Sequence, residues 1–454
     1  MTPFVVKPIS RLQAKVPLPA DKSIAHRAII LSAISAGVTK IEDFPFNKDC
    51  LATLNALRKL GVNITQGRKA MFLAAITVNG KGPFGLTKPK GPIFVGDSGT
   101  TLRILLGVLA AQPFETKLVA GKSLSHRPMR RVTEPLRLMG AQISSKIEDR
   151  KPKAEEYPPI TIRGGNLKAI SYRMPIASAQ VKSAILLAGL FAKGETKVVE
   201  PLETRDHTER MLKLFKADVR QEDKAMVIKG GRELVSPGRL YIPQDISSAA
   251  FFMVLAAIIP DSKIVMKKVS LNPSRAGVIK VLKRMGANIK VKGHPSASLG
   301  TRGPRAKGCE PMGDIIARSS KLKGVVVKEE EIPSLIDELP VLMVAACFAK
   351  GKSAFKGIGE LRVKETDRIS SMTENLKKMG AVIKISKIGK LEKVIIEGAG
   401  FLKGARVKTF GDHRTAMSMV IAGLAARGET YIDDISCISK SFPGFISIIN
   451  SFMR

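Results

Sequence analysis

Cysteine, tryptophan and long apolar runs are scarce in this sequence, and each scarcity argues against a class of protein. The four cysteines are scattered, at Cys50, Cys309, Cys347 and Cys437, with no C-x-x-C pair. This pattern argues against a zinc site and a disulfide framework, and it predicts reduced thiols. The longest apolar run, 249–259, is too short to span a membrane, which takes about 20 residues. Because the N-terminus also lacks a signal-peptide pattern, we expect a cytoplasmic protein with no membrane partner.

Acidic residues are few relative to basic ones: 39 Asp and Glu stand against 75 Lys and Arg, a formal net charge of +36. Such a charge suggests nucleic-acid binding. The basic residues are spread along the whole chain, however, and aromatic residues make up only 5%, which leaves little for a base-stacking surface. We therefore expect no specific nucleic-acid partner, and a charged surface that attracts small anions. A basic, non-catalytic RNA-binding protein stays an alternative, which a steep salt dependence of polynucleotide affinity would favour.

Internal repeats are the main positive feature of the 454 residues. One short motif recurs five times, as "LRKLGVNI" from Leu57, "LRLMGAQI" from Leu136, "LKLFKADV" from Leu212, "LKRMGANI" from Leu282 and "LKKMGAVI" from Leu376. The pattern is typical of the end of an amphipathic helix, a Gly at its C-terminus and a following strand. The third copy lacks the Gly.

A second repeated element accompanies this motif: a capping residue, a short apolar helix, and a Gly or Pro before a strand. Its six copies begin at Asp21, Asp97, Ser178, Asp245, Asp337 and Asp412. Units of this size cannot each bury a face alone, so they must stack around shared cores formed by the apolar helices. The alternation of helices and strands predicts an α/β or α+β fold. The segment 296–322, rich in Gly, Ser, Arg and Lys, is expected to be a long irregular excursion.

Cations stand at several helix starts, where the helix dipole already places partial positive charge. The first apolar helix opens with Lys22, Ser23 and Arg27, and "GDSGTT", 96–101, offers bare backbone amides. Similar residues recur at later helix starts and before the amphipathic helices: Arg127, Arg130, Arg131, Ser178, Gln180, Lys182, Arg205, Asp337, Glu338, Lys364, Glu365, Arg368, His413, Arg414 and Lys440. Such groups bind phosphate or carboxylate. Stacked repeats can bring them to one cleft, which predicts a substrate with more than one anionic group.

Metal ions and nucleotide cofactors are not indicated. His26, His126, His207 and His413 each lie within two residues of an Arg, whose charge would oppose a metal ion, and no H-E-x-x-H pattern exists. The Walker pattern is absent, as is a Rossmann fingerprint in strand–helix context. We therefore expect no cofactor and no metal.

Eight segments, in order along the chain, carry a resemblance to a known family: "ADKSIAHRA", "GDSGTTLR", "RPMRRVTEPLRLMGA", "SAQVKSAILLAGL", "TRDHTERML", "LRVKETDRI", "GDHRTAMS" and "KSFPGF". They resemble the EPSP synthase (3-phosphoshikimate 1-carboxyvinyltransferase) family of enolpyruvyl transferases, from about Lys7 to the C-terminus. The resemblance implies two globular domains, each of three βαβαββ units, with the active site in the cleft between them. Because the family's N-terminal strand joins the C-terminal half, the expected domains are 22–245, and 1–21 with 246–454.

The resemblance also implies the reaction and its substrates. The enolpyruvyl group of phosphoenolpyruvate passes to the 5-hydroxyl of shikimate 3-phosphate by addition and elimination, releasing phosphate, with no metal or cofactor and in a monomer. The positions that match the family's shikimate 3-phosphate contacts are Lys22, Ser23, Arg27, Ser178, Ala179, Gln180, Arg205, Asp337 and Lys364. Those that match its phosphoenolpyruvate contacts are Lys22, Gly99, Arg127, Gln180, Arg368, Arg414 and Lys440.

Three of these positions match the family's catalytic groups. Asp337 matches the base that takes the proton of the 5-hydroxyl. Glu365 matches the group that gives a proton to the methylene carbon of phosphoenolpyruvate and later removes one. Lys22 matches the cation and proton donor beside the bridging oxygen.

Two positions depart from the family's pattern. Many members have Asn where this chain has Asp97, so an amide contact cannot be carried over, and we expect Asp97 to be only a helix cap. Ala179 replaces a Ser of one branch of the family, so a contact there must come from the backbone. Gly99 matches a position where an added methyl group hinders the inhibitor glyphosate. Its presence is compatible with sensitivity, to which other positions also contribute.

The nearest rival within the same chemistry is the sister enzyme that transfers enolpyruvyl to UDP-N-acetylglucosamine. Its hallmark is a loop Cys in the second unit, and this chain has no Cys between Gly96 and Arg150. An RNA-binding protein, from a different class, would not explain why Asp337 and Glu365 stand among the basic motifs.

Overall fold

Helices and strands alternate along the chain, which confirms the predicted mixed α/β fold. The structure, a computed structural model, describes residues 3–70, 73–148, 154–294, 310–388 and 391–453. These residues form two compact units. The 20–242 unit contains the described residues of that range and Glu310. The 243–453 unit contains residues 3–19, 243–294 and the described residues from 311 onward.

Twelve α-helices lie in the described part of the chain: α1 (Lys22–Ala33), α2 (Lys48–Lys59), α3 (Gly99–Leu109), α4 (Arg130–Leu138), α5 (Ala179–Gly189), α6 (His207–Leu214), α7 (Ile246–Ile258), α8 (Gly277–Arg284), α9 (Leu339–Phe348), α10 (Arg368–Lys378), α11 (His413–Leu424) and α12 (Phe445–Phe452). Four short 3-10 helices accompany them: Leu124–His126, Glu329–Ser334, Gly359–Val363 and Ser436–Lys440. In the odd-numbered α-helices nearly every residue is buried, whereas the even-numbered ones bury one face. None of the helices described is long and apolar enough to cross a membrane.

The described strands number twenty-three: β1 (Phe4–Val6), β2 (Gln13–Lys15), β3 (Val38–Pro45), β4 (Asn63–Ala70), β5 (Leu73–Asn79), β6 (Ile93–Phe94), β7 (Glu115–Val119), β8 (Gln142–Glu148), β9 (Glu155–Arg163), β10 (Ser171–Arg173), β11 (Glu195–Val199), β12 (Asp218–Glu222), β13 (Ala225–Lys229), β14 (Arg239–Tyr241), β15 (Lys263–Ser270), β16 (Asn288–Gly293), β17 (Met312–Arg318), β18 (Val326–Val327), β19 (Gly351–Lys356), β20 (Val382–Ile388), β21 (Leu391–Gly398), β22 (Arg406–Val407) and β23 (Thr430–Ile432).

The 20–242 unit has three sheets of one design. Their strand orders are β14-β3-β5-β4, β6-β7-β9-β8 and β10-β11-β13-β12. In each, the first two strands run parallel and the other neighbours run antiparallel. Helices α1, α3 and α5 supply much of the apolar core of this unit, so we call them its inner helices. One supersecondary unit therefore occurs three times, and each copy contributes the N-terminus of one of these helices.

The 243–453 unit repeats the design but takes two strands from the N-terminal segment, β2 in its first sheet and β1 in its third. Its sheets are β16-β17-β15-β2, β18-β19-β21-β20 and β1-β23-β22. The third is one strand short, and its antiparallel position is filled from the other end of the chain: Phe4 of β1 pairs with Ile432 of β23. The two N-terminal strands thus belong to this unit. Its inner helices α7, α9 and α11 are buried.

The repeated helix ends show why the short motif recurs. Gly61, Gly140, Gly286 and Gly380 follow α2, α4, α8 and α10 with φ of +85°, +112°, +89° and +90°, a left-handed region that glycine enters without steric cost. The third copy, which lacks the Gly, places Lys216 there with φ of +66°. The geometry of the turn is therefore kept even where the residue that favours it is absent.

Three local expectations need correction. Met312–Arg318 is the regular strand β17, so the predicted irregular excursion is wrong over that stretch, while 295–309, including Cys309, lies outside the described residues. Helix α3 is capped by Ser98 rather than Asp97, because the Ser98 hydroxyl accepts the N–H of Thr101. Helix α9 begins after Glu338, so Asp337 is not its cap. The other starts, Asp21, Ser178, Asp245 and Asp412, do cap their helices.

Candidate active site

The fifteen predicted site residues are divided between the two units. The 20–242 unit contains Lys22, Ser23, Arg27, Gly99, Arg127, Ser178, Ala179, Gln180 and Arg205. The 243–453 unit contains Asp337, Lys364, Glu365, Arg368, Arg414 and Lys440. Most of them stand at or near the N-terminus of a helix, as the sequence suggested.

Lys22 opens helix α1 beside an acidic partner from helix α2. Its ammonium lies 2.8 Å from a carboxylate oxygen of Asp49, and their side chains keep 20% and 13% of their exposure. The cap of the helix is supplied separately by Asp21, which accepts the N–H of Ile24. Asp49 therefore orients a lysine that remains reachable from solvent.

Arg27 is a buried cation whose direct partners are neutral. Its Nε donates to the Thr208 hydroxyl at 2.6 Å, and its Nη2 donates to the Ser183 hydroxyl at 2.7 Å. Its Nη1 donates to the backbone oxygen of Ser23 at 3.0 Å. Burial lowers the pKa of Arg27 to about 10, although the nearby carboxylate of Glu209 opposes the shift. The residue stays charged at neutral pH, with its position fixed by α5 and α6 and no carboxylate among its direct hydrogen-bond partners.

Gln180 is held between helices α3 and α5. Its side-chain oxygen accepts from Nη1 of Arg103 at 2.8 Å, and its amide nitrogen donates to the Thr100 hydroxyl at 2.9 Å. Arg103 also donates to the backbone oxygen of Pro128 at 3.2 Å. The orientation of Gln180 is thus tied to the segment that carries Arg127.

Asp97 stabilises a turn instead of capping a helix as expected. One of its carboxylate oxygens accepts the backbone N–H groups of Ser123 and Leu124, at 3.0 and 3.2 Å. It therefore fixes the turn that leads into Leu124–His126 and then Arg127. Because this carboxylate accepts from backbone N–H donors, an acidic residue can lie beside the predicted anion site.

Gly99, the first residue of α3, leaves the space that the Arg127 guanidinium occupies. A Cβ atom built at Gly99 would lie 2.9 Å from Nη1 of Arg103 and 3.0 Å from Nη1 of Arg127. Both distances are shorter than normal side-chain contacts, so a methyl group must displace these side chains.

The family resemblance implies that Gly99 and Arg127 contact phosphoenolpyruvate. On that basis we expect Gly99→Ala to raise the KM of phosphoenolpyruvate about tenfold with a smaller change in that of shikimate 3-phosphate, because a small misplacement of a binding group costs affinity. Steady-state kinetics with each substrate varied would check this. Gly165→Ala, at a position open to an added methyl group, is the control and should leave both values unchanged. An equal rise in both KM values for Gly99→Ala would contradict the prediction.

A buried lysine supports the segment that carries Arg205. Lys182 of α5 contacts Glu200 and Glu209, each at 2.6 Å. Although burial lowers the pKa of Lys182, the two carboxylates outweigh it and raise the pKa overall. Glu200 in turn accepts from the hydroxyl of Thr204, the residue before Arg205. Ser178 and Ala179 lie at the start of α5, where the Ser178 hydroxyl accepts the N–H of Val181.

In the 243–453 unit, Arg368 is the centre of a carboxylate cluster. Its side chain is 2% exposed. Nε contacts Asp412 at 2.9 Å, Nη2 contacts Glu365 at 2.5 Å, and Nη1 contacts Asp337 at 3.4 Å. Burial alone would lower the pKa of Arg368, but the three carboxylates raise it overall. The arginine therefore holds both predicted proton-transfer carboxylates in fixed places.

Arg414 lies at the start of α11 and contacts the same region. Its Nη1 donates to the backbone oxygen of Asp337 at 2.9 Å and lies 3.6 Å from the Glu338 carboxylate. Its own N–H is accepted by Asp412 at 2.7 Å. Asp412 thus positions both Arg368 and Arg414, one through each carboxylate oxygen.

Two lysines complete the predicted set. Burial lowers the pKa of the partly buried Lys364 to about 8, against the opposing effect of Asp337. Lys440 ends the 3-10 helix Ser436–Lys440, which also contains Cys437. Burial raises the pKa of Cys437 to about 12, Asp412 adds to the shift, and Lys440 opposes it.

The sequence reasoning missed three side chains of these clusters: Asp49, Arg103 and Arg275. Arg103 could have been noticed as the single charged residue within the otherwise apolar "TLRILLGVL". Arg275 precedes α8 in the way that Arg127 and Arg205 precede α4 and α6, so the repeat itself contained the signal. Over the residues that the structure describes, no group of three or more His, Cys, Asp or Glu side chains could hold a metal ion.

The chain is similar to one family of known proteins over nearly its whole length. The family model described as EPSP synthase (3-phosphoshikimate 1-carboxyvinyltransferase) matches residues 6–449. A 3-phosphoshikimate 1-carboxyvinyltransferase of Thermodesulfovibrio yellowstonii is 45% identical over 99% of both chains, and that of Desulforamulus reducens is 43% identical over 98% of both. The solved structure of an EPSP synthase from Acinetobacter baumannii is similar with a TM-score of 0.83 and 42% identity, covering 99% of this chain and 98% of that one.

Proposed function

The chain belongs to the EPSP synthase (3-phosphoshikimate 1-carboxyvinyltransferase) family, and from that premise we propose which of its residues bind the substrates and move the protons. The enzyme transfers the enolpyruvyl group of phosphoenolpyruvate to the 5-hydroxyl of shikimate 3-phosphate and releases phosphate, a step of the shikimate pathway toward aromatic compounds.

Shikimate 3-phosphate is bound chiefly by the 20–242 unit in this proposal. Arg27 supplies a fixed positive charge, and Ser23, Ser178 and Gln180 supply hydrogen-bonding groups around it. Arg205 adds a second cation, steadied by the Lys182–Glu200 contact. Ala179 can contribute only its backbone N–H, which the start of a helix leaves without an intrahelical partner. The family resemblance also assigns Asp337 and Lys364 to this substrate.

Phosphoenolpyruvate is bound by arginine and lysine side chains in this proposal. Arg127, which lies beside Gly99 at the start of α3, binds one anionic group of this substrate. Gln180 binds next to Arg127. Arg368, Arg414 and Lys440 serve its other anionic atoms. Guanidinium groups suit this task because their planar N–H pairs match carboxylate and phosphate oxygens.

Three groups carry the proton transfers. Asp337 accepts the proton of the 5-hydroxyl as the hydroxyl oxygen bonds to the central carbon of phosphoenolpyruvate. Glu365, which enters this step in its protonated form, gives its proton to the methylene carbon and becomes a carboxylate. In the elimination, the bond to the phosphate oxygen breaks, Lys22 donates to that oxygen, and Glu365 takes a proton back from the methyl group. Each such acid–base group contributes typically about 10²–10⁴-fold.

The observation that carries the proposal is the buried Arg27, whose direct partners are hydroxyl and carbonyl oxygens. A buried cation without a carboxylate partner favours an anionic ligand. The test is phosphate release after the protein is mixed with phosphoenolpyruvate and shikimate 3-phosphate, with UDP-N-acetylglucosamine as the control acceptor. We expect phosphate release when shikimate 3-phosphate is the acceptor and none when UDP-N-acetylglucosamine is. The Arg27→Met variant should lose this release. Unchanged release in that variant would exclude this role for Arg27.

Lys364 makes substrate binding depend on pH. Its ammonium form is the one that attracts shikimate 3-phosphate, and a pKa of about 8 in the free protein means that this form is complete near neutral pH and lost as pH rises through 8. Affinity should therefore be constant between about pH 6.5 and 7.5 and fall by up to about tenfold per unit well above the pKa. The substrate phosphate, with its second pKa near 6, does not change charge in that upper range.

Isothermal titration calorimetry across this range would measure the effect for the wild type and for Lys364→Arg, whose charge persists. The wild type should also take up a proton on binding near pH 8. An identical pH slope in the two proteins would assign the titration to another group.

We also propose that the enzyme acts in the cytoplasm as a monomer. This proposal rests on the sequence and the family resemblance alone. Light scattering during size-exclusion chromatography, with and without both substrates, would measure the oligomeric state.

A further inference from the structure

Helix α9 is the exception among the six buried helices of the repeats. In the other five, the side chain at the N-cap accepts a backbone N–H of the first turn. At α9 the N-cap residue is Glu338, and its side chain makes no such bond. Pro340, at the second helical position, has no N–H to be satisfied. The carboxylate of Glu338 is therefore directed elsewhere, although Glu is placed where a cap is normally found.

That carboxylate joins three elements at once. It is 1% exposed and accepts from the hydroxyl of Ser247 in the first turn of α7. The same oxygen, Oε1, lies 3.5 Å from Nη2 of Arg275, which precedes α8, and 3.6 Å from Nη1 of Arg414 in α11. Two guanidinium groups thus share one buried carboxylate.

The contacts of Arg414 come from a single nitrogen. Its Nη1 donates to the backbone oxygen of Asp337 and lies beside Glu338. Neither contact uses Nη2. Residues 337 and 338 therefore hold one edge of the guanidinium and determine where its other edge is presented.

Arg275 balances the charge of Glu338. Its side chain is 3% exposed, and it also lies 3.7 Å from Asp245 and 4.0 Å from Asp337. Ser247 accepts from Arg275 and donates to Glu338, so the pair is bridged as well as close. A buried carboxylate is tolerated when it is paired and hydrogen-bonded in this way.

We propose that Glu338 is a positioning residue for phosphoenolpyruvate binding: it fixes the guanidinium of Arg414, and Arg275 and Ser247 keep Glu338 in place. This rests on the proposed role of Arg414 as a contact of that substrate. Glu338 itself touches no reacting atom in this proposal. Its neighbour Asp337 performs the chemistry, so adjacent residues divide positioning and proton transfer between them.

The decisive variant is Glu338→Gln, which keeps the size of the side chain and a partner for Ser247 but removes the charge shared by the arginines. We expect the KM of phosphoenolpyruvate to rise about ten- to hundredfold, with the KM of shikimate 3-phosphate changed by less than about threefold. Arg275→Met should give the same split, and Arg275→Lys, which keeps the charge, should restore most of the affinity. The double variant Glu338→Gln with Arg275→Met should be less than additive, because both changes disrupt one cluster.

Glu156→Gln is the matched control, since Glu156 is a buried carboxylate paired with Arg137 at 2.7 Å in the other unit. It should lower the melting temperature without changing either KM. A lowered melting temperature and no KM split in Glu338→Gln would make Glu338 purely structural. A loss of kcat at unchanged KM would mean that it acts on Asp337 instead, and this also overturns the proposal.

Arg414→Met, measured alongside, distinguishes a wrong role for Arg414 from a wrong role for Glu338. If it leaves the KM of phosphoenolpyruvate unchanged, the role of Arg414 is wrong. If it raises that KM and Glu338→Gln does not, only the positioning role fails.

Discussion

Replacing Asp337 by asparagine should lower kcat by about 10²- to 10⁴-fold while the dissociation constant of phosphoenolpyruvate stays within about threefold. Asparagine has the same shape and still accepts from Arg368, which lies 3.4 Å from the carboxylate. What it lacks is the basicity that the 5-hydroxyl needs as its oxygen attacks. Because the hydroxyl loses its proton only as the reaction proceeds, the loss should appear in turnover rather than in binding.

Single-turnover measurements would give the rate of the chemical step, and calorimetric titration would give binding. Intrinsic tryptophan fluorescence is not an option, since the chain has no Trp. Asp314→Asn is the matched control: Asp314 belongs to the same unit, and its side chain is 16% exposed against 18% for Asp337. It should retain normal turnover. Equal losses in rate and in binding for Asp337→Asn would make Asp337 a binding residue.

Replacing Arg368 by methionine should destabilise the protein by about 3–5 kcal/mol, the usual cost of removing one partner of a buried ion pair. Asp412, Glu365 and Asp337 all contact this guanidinium, so three carboxylates lose one shared counter-charge together. Phosphoenolpyruvate binding should be lost as well. Urea denaturation monitored by circular dichroism would give the free energy of unfolding, and Arg368→Lys, which keeps a charge, should lose less.

The sign of the pH dependence distinguishes lost charge from lost packing. Buried carboxylates from which a counter-charge is removed bind protons more readily in the folded state, so their penalty is greatest at neutral pH and relieved by acid. The deficit of Arg368→Met relative to wild type should therefore shrink between about pH 7 and about pH 5. A deficit that does not change with pH would mean that lost packing, rather than charge, is the cause.

Much of the fold could be predicted because the repeats combine periodic apolar residues with capping and turn signals. Where those signals were ambiguous, the prediction failed. "GDSGTT" contains two residues able to cap α3, Asp97 and Ser98, and only the fold shows that Asp97 reaches the N–H groups of Ser123 and Leu124. Lys216 shows the converse, because a left-handed turn can be imposed by the surrounding repeat without a Gly.

Residue types select the candidate site residues, but they do not predict the partners of those residues. Helix starts rich in Lys, Arg and Ser indicate anion binding, and this pattern selects Arg27, Arg368 and Arg414 as candidates without coordinates. It could not show that Arg27 has neutral partners while Arg368 has three carboxylates, since those partners are separated by up to 181 residues in sequence. Which cation is already neutralised and which still favours a ligand depends on tertiary contacts alone.

The pairing of β1 with β23 has a consequence for biosynthesis. Phe4 leaves the ribosome about 430 residues before its partner Ile432, and at about 5–20 residues per second the wait is roughly 20–90 s. Meanwhile all strands of the 20–242 unit, from Val38 to Tyr241, are already made. The waiting strand is only three residues long and is flanked by Pro3, Lys7 and Pro8, residues that discourage pairing with the wrong edge. A strand that is made early is thus among the last to be paired.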